Sequence, residues 1–139
     1  MMTTEWQQID TVRMNLKTAE LRQSLRMAKP HLFLAADLVT IARGSCQLNV
    51  WQDDDSKESA EQSGELIIPM DQPVMTANLR LPRDDFDHFY QLLRHDGPRT
   101  VTMSMLLAEK LAVSVDGVLW IEQAMTIPIR DINIQVPLR

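Results

Sequence analysis

The chain has 139 residues, of which 45% are hydrophobic and 24% charged, and its net charge is −5. A single domain of this size buries roughly two-thirds of its unfolded surface, and the acidic balance is not that of a simple basic nucleic-acid binder. Cys46 is the only cysteine, which excludes an internal disulfide and a cysteine-based metal site and fits a reducing, cytoplasmic setting. No apolar run approaches the ~20 residues of a spanning helix, and Met1 to Gln8 is polar around Trp6, so neither membrane association nor a secretory signal is expected.

From Ile9, the residues Val12, Met14 and Leu16 alternate with Thr11, Arg13, Asn15 and Lys17, the period of two that one buried strand face produces. Thr18 is placed to cap a following helix, in which Leu21, Leu25 and Ala28 recur at i, i+4 and i+7 until Pro30 stops it. His31 to Ala42 is apolar and β-branched towards its end, and a second alternation of Cys46, Leu48 and Val50 comes after it. A hairpin turning at Gly44 accounts for both. Residues 53–64 carry no large apolar side chain and are rich in Asp, Glu, Ser and Lys, so they are expected to form a long, flexible acidic loop. A short strand over Glu65 to Pro69 and a turn at Asp71-Gln72-Pro73 complete the first part of the chain.

Val74 to Leu81 alternates again. Pro82 suits a first helical turn, and Asp84 and Asp85 suit the positive end of the helix dipole. Phe86, Phe89, Tyr90 and Leu93 then form the cleanest helical stripe in the chain, ended by Asp96-Gly97-Pro98. Strands are next read over Val101 to Met105 and Leu111 to Val115, with a tight turn at Asp116-Gly117 and a return through Val118, Trp120 and Ile121. Two last strands are read through Met125 to Arg130 and Ile132 to Leu138. Pro128 and Pro137 lack the amide donor of a central strand, so these strands are expected at an edge or with a bulge, where another chain could pair.

Ile9 to Ala28 and Val74 to Leu93 share one apolar pattern, with Thr11 matching Thr76 and Leu16 matching Leu81. The fold expected from this is α+β: two tandem strand-helix-strand-strand units, 9–69 and 74–139, in one domain over 1–139. They would share a mostly antiparallel sheet with two amphipathic helices on one face. That order and length of elements is similar to one domain of the DNA polymerase sliding clamps, and the resemblance implies helices turned towards DNA. The second helix here is acidic, whereas the ring lining of that family tends to be basic.

Few residues carry a chemical signature. Asp84, Asp85, Asp87 and His88 put three carboxylates and an imidazole in one helical turn, an arrangement able to move a proton or hold a cation, although acids at a helix start are favoured by the dipole alone. Asp53, Asp54 and Asp55 lack the glycine and ligand spacing of a calcium loop. Cys46 falls in the apolar phase of its strand and reads as a packed thiol. The four glycines stand singly, so no phosphate-cradling loop is present and no cofactor is expected.

Charge gives a further pointer. Between Arg13 and Lys29 five basic residues face one acid, leaving +4 there and −9 elsewhere. Arg22, Arg26 and Lys29 recur at i, i+4 and i+7 beside the apolar stripe, so they are candidates for an anion or a partner surface. The leading functional expectation is a non-catalytic interaction module, homo-oligomeric through its edge strands. A nucleic-acid-associated protein using Arg22, Arg26 and Lys29 comes second, and an enzyme using Asp84, Asp87 and His88 third.

Overall fold

Seven strands carry the alternating apolar residues: β1 (Trp6–Arg22), β2 (His31–Leu38), β3 (Ser45–Asp53), β4 (Ser63–Ile68), β5 (Val74–Pro82), β6 (Thr102–Ser114) and β7 (Met125–Gln135). The computed structural model describes residues 5–22, 31–42, 44–53, 63–70, 74–98 and 101–136. The strands close into one barrel in the order β1-β2-β3-β5-β4-β7-β6, and α1 (Arg83–Asp96) is the one α-helix among the described residues.

Closure constrains strand direction. Each antiparallel interface reverses direction, and a circuit of the ring must return to its starting sense, so the number of antiparallel interfaces is even. With seven strands, at least one interface must therefore be parallel. It is β3 with β5, from Ser45↔Val74 to Asp53↔Pro82, and the other six are antiparallel. Because β5 lies between β3 and β4, these two strands are consecutive in the chain but not neighbours in the barrel.

The interior is filled by side chains, as expected of a barrel this small. Met14, Leu34, Leu48, Leu66, Met103 and Met105 have no exposed surface. Helix α1 packs against β3 and β5 at the end of the barrel where those strands finish, and Phe86, Phe89 and Leu93 join the core. Burying each phenylalanine contributes on the order of 1.5–3 kcal/mol. Asp84 and Asp85 occupy its first turn, Arg94 and His95 its last, and the Gly97 amide donates to the Leu93 carbonyl. The stripe of Phe86, Phe89 and Leu93, the acids of the first turn and Gly97 after the end are the sequence features that predict this helix.

The α+β expectation is overturned: the described residues form a closed β-barrel with one short helix, not a sheet with two helices on one face, and among them the strand-helix-strand-strand unit is not repeated. The clamp-like architecture falls with it. Thr18 to Arg22 extend β1 and pair with β2, from Thr18↔Ala35 to Arg22↔His31. The reason is a bulge: the register slips between Leu16 and Thr18, leaving Lys17 as an extra residue and moving the inward phase from Met14 and Leu16 to Ala19. An extra residue of this kind lets a strand continue while its alternation breaks. The remainder of the expected first helix, 23–30, lies outside the described residues, as does 54–62 of the expected acidic loop.

The same effect joined elements that read as separate. A register slip between Leu106 and Leu107, opposite Asp131 and Ile129, leaves Arg130 extra in β7, so Met125 to Gln135 is one strand with its inward phase changed. Another slip, between Ile9 and Thr11, lets β6 run from Thr102 to Ser114 unbroken. Nor does β7 lie at a free edge. It pairs with β4 up to Ile129 and with β6 from Ile129 onwards, and Pro128 falls just before the β6 ladder begins, where a missing donor breaks no rung.

Candidate functional site

The residues singled out in the sequence are dispersed. Arg22 is the last residue of β1 rather than part of a helix, so a helical spacing does not group it with Arg26 and Lys29, which lie outside the described residues. Asp84, Asp85, Asp87 and His88 all point to solvent from α1, and no group of three or more metal-ligating side chains occurs among the described residues. Cys46 is buried in the barrel. Burial pushes its thiol up to about 12, opposed by a hydrogen bond from the Ala77 backbone, which makes it a poor nucleophile at neutral pH.

Two surfaces stand out instead. The first lies at the end of the barrel opposite α1, where β1 starts and β6 finishes. Beyond Ser114 the chain turns through Asp116 and Gly117 and folds back on β6. Ser114 donates its amide to the Val118 carbonyl, and the Trp120 amide donates to Ala112, with Val113 bridged to Leu119. Ser114 Oγ accepts a further bond from the Val118 amide at 3.0 Å. Gly117, at φ +85°, accepts the Ala42 amide at 2.9 Å, tying this turn to the β2–β3 connection.

The bonding pattern of this short return segment is informative. Val118 and Trp120 use backbone groups towards β6, so the N–H and C=O of Leu119 point away from it. They find no partner among the described residues. The side chains divide the other way: Leu119 and Ile121 pack on the core, whereas Val118 and Trp120 are 56% and 55% exposed. Trp6, 38% exposed, meets Trp120 edge-to-face with ring centroids 5.4 Å apart. An open backbone edge is therefore flanked by a cluster of large exposed apolar side chains, a combination typical of interaction surfaces.

The second surface is on the barrel wall across β2, β3, β5 and β4, where outward residues fall into cross-strand rows. His31, Trp51 and Arg80 form one row, and Phe33, Asn49, Asn78 and Glu65 the next. The His31 and Trp51 rings stack at 5.5 Å with planes 21° apart. Asn49 Nδ2 donates to Asn78 Oδ1 at 3.2 Å, and Asn78 Nδ2 donates to Glu65 Oε1 at 3.3 Å. A cavity of about 390 Å³ opens here, lined by Trp51, Gly64, Glu65, Asn78 and Arg80.

Neither surface is marked by a sequence motif, although both leave a trace in the strand phase. In β3 the residues Cys46, Leu48 and Val50 face inwards, so Trp51 is an aromatic ring in the polar phase, and Trp120 likewise alternates with the inward Leu119 and Ile121. Compared with protein-family models, with curated proteins and with solved structures, the chain matches none. No helix among the described residues is long and apolar enough to cross a membrane.

Proposed function

We propose that this protein is a non-catalytic interaction module of the cytoplasm that works as a homo-oligomer joined through the open edge of the return segment at Val118 to Ile121. The observation that carries this reading is the backbone of Leu119, unpaired among the described residues, beside exposed Trp120, Val118 and Trp6. An edge of that kind is completed most simply by the same edge of a second copy, in antiparallel pairing about a two-fold axis. With Leu119 at the axis, Val118 of each copy stands opposite Trp120 of the other, so two backbone hydrogen bonds and two valine-tryptophan contacts form together. Closure by a two-fold limits the assembly to a dimer rather than a filament. The single buried thiol fits a reducing compartment.

Sedimentation equilibrium of the full chain tests the proposal. A concentration-dependent monomer–dimer equilibrium is expected, with Trp120→Glu monomeric and its far-ultraviolet circular dichroism unchanged. Because each substitution acts twice in a two-fold interface, loss of a tryptophan contributing about 2 kcal/mol weakens the dimer about a thousandfold. A parent protein that stays monomeric at high concentration, or a Trp120→Glu variant that associates as the parent does, overturns it.

A further inference from the structure

We infer that the cavity on the β3–β5–β4 wall is a binding site for a neutral polyhydroxylated ring, the chemistry of a hexopyranoside. Its volume of about 390 Å³ lies at the small end of ligand pockets, enough for one ring and its substituents. The groups on the wall are of three kinds, and together they specify the ligand.

Trp51 offers a flat apolar surface. His31, across on β2, stacks against it and braces the indole, and Trp51 itself lines the cavity. A saturated ring with one C–H-rich face is a partner for such a plane. Asn78 is held from both sides, accepting from Asn49 and donating to Glu65, so its amide is oriented before any ligand arrives, which lowers the ordering cost of binding. Glu65 keeps a carboxylate oxygen available as an acceptor.

Arg80 supplies the complementary donors. It is exposed and makes no ion pair with another described residue, while its guanidinium carries five N–H donors in a planar fork. Ser63 is its cross-strand partner and Glu65 lies one diagonal step away, so a carboxylate acceptor and a guanidinium donor share the rim of one cavity. An anion such as a phosphate would gain from Arg80 and be opposed by Glu65, and a cation would meet the reverse. A hydroxyl donates and accepts at once, so adjacent hydroxyls on a ring can satisfy both residues with no net charge.

The test is a ¹⁵N-¹H titration of the full chain with the methyl glycosides of glucose, galactose, mannose and N-acetylglucosamine, with adenosine monophosphate and inorganic phosphate as charged comparisons. At least one glycoside is expected to bind with a dissociation constant on the order of millimolar, shifting the Trp51 indole N–H and the Asn49 and Asn78 side-chain amides. Trp51→Ala should weaken binding about tenfold, and Arg80→Ala, at an exposed position, reads the same site if the tryptophan variant fails to fold. Running the titration on Trp120→Glu separates this site from self-association. Absence of shifts with every glycoside, binding of the phosphate compounds alone, or binding unaffected by Arg80→Ala would overturn the inference.

Discussion

Replacing Gly64 by alanine should open the barrel at the β4–β5 interface. Gly64 pairs with Leu79 on one side and Ile129 on the other. A Cβ built on it would stand 2.5 Å from the Asn78 carbonyl oxygen and 2.9 Å from a Leu79 methyl carbon. Removing a glycine normally stabilises a protein by about 0.4–1 kcal/mol through the unfolded chain, but here the contact is with backbone, which moves only if the strand moves. Overpacking of this kind costs about 1–3 kcal/mol, so a net loss on the order of 1–2 kcal/mol remains. With a urea m-value of about 1–3 kcal/mol/M, the unfolding midpoint should fall by roughly 1 M. The cause can be separated by repeating the substitution in a Leu79→Ala background, which removes the methyl but not the oxygen. If the clash is with the backbone, the alanine penalty persists there. A penalty that disappears in that background, or a Gly64→Ala protein as stable as the parent, refutes the argument.

Two more perturbations probe the core. Cys46 holds its proton in the folded protein up to about pH 12, whereas an unfolded cysteine releases it near 8.5. Below that value both states are protonated and the thiol adds no pH dependence. Above it the unfolded state alone ionises, so stability falls as pH rises towards the folded pKa, by about 1.4 kcal/mol per unit. Urea unfolding between pH 8 and 11 should show this slope in the parent and lose it in Cys46→Ala; equal slopes would contradict the assignment. Phe89, 2% exposed where α1 closes the barrel, should lose about 3–5 kcal/mol on substitution by alanine, and the half-buried Tyr90 clearly less. Thermal unfolding with equal losses at the two positions would mean that α1 does not seal the core.

What the sequence disclosed was local. β3 and β5 carry uninterrupted alternation, β2 and β4 are short apolar runs, and α1 carries a stripe with acids at its start and Gly97 after its end, so these elements are legible from residue pattern alone. The strands with bulges are not. Lys17 and Arg130 each add one residue without any marker such as glycine, and each shifts the inward phase. The change made Thr18 to Arg22 read as the opening of a helix and made β7 read as two strands. The outer-wall cavity was hidden for a different reason. Its walls come from Trp51, Gly64, Glu65, Asn78 and Arg80, three strands whose adjacency depends on β5 entering between β3 and β4, and no local pattern encodes that order.

The pair of segments with matching patterns shows how far periodicity can reach. Both Leu16 and Leu81 are buried and close an alternating run, but Leu16 stands opposite Ala36 in an antiparallel ladder, whereas Leu81 stands opposite Gln52 in the parallel one. Alternation reports that one face of a strand is buried and is silent about which strand lies beside it. The residues just past each run decide its fate. Lys17 gives a bulge that lets β1 continue along β2, while Pro82, with Asp84 and Asp85 in the next turn, ends β5 and starts α1. The parallel seam required by an odd number of strands then brings Asn49 opposite Asn78, and from that pairing comes the hydrogen-bonded chain to Glu65. The polar wall is thus a consequence of barrel closure, and shifting β5 by one residue against β3 would turn Asn78 inwards and dismantle it.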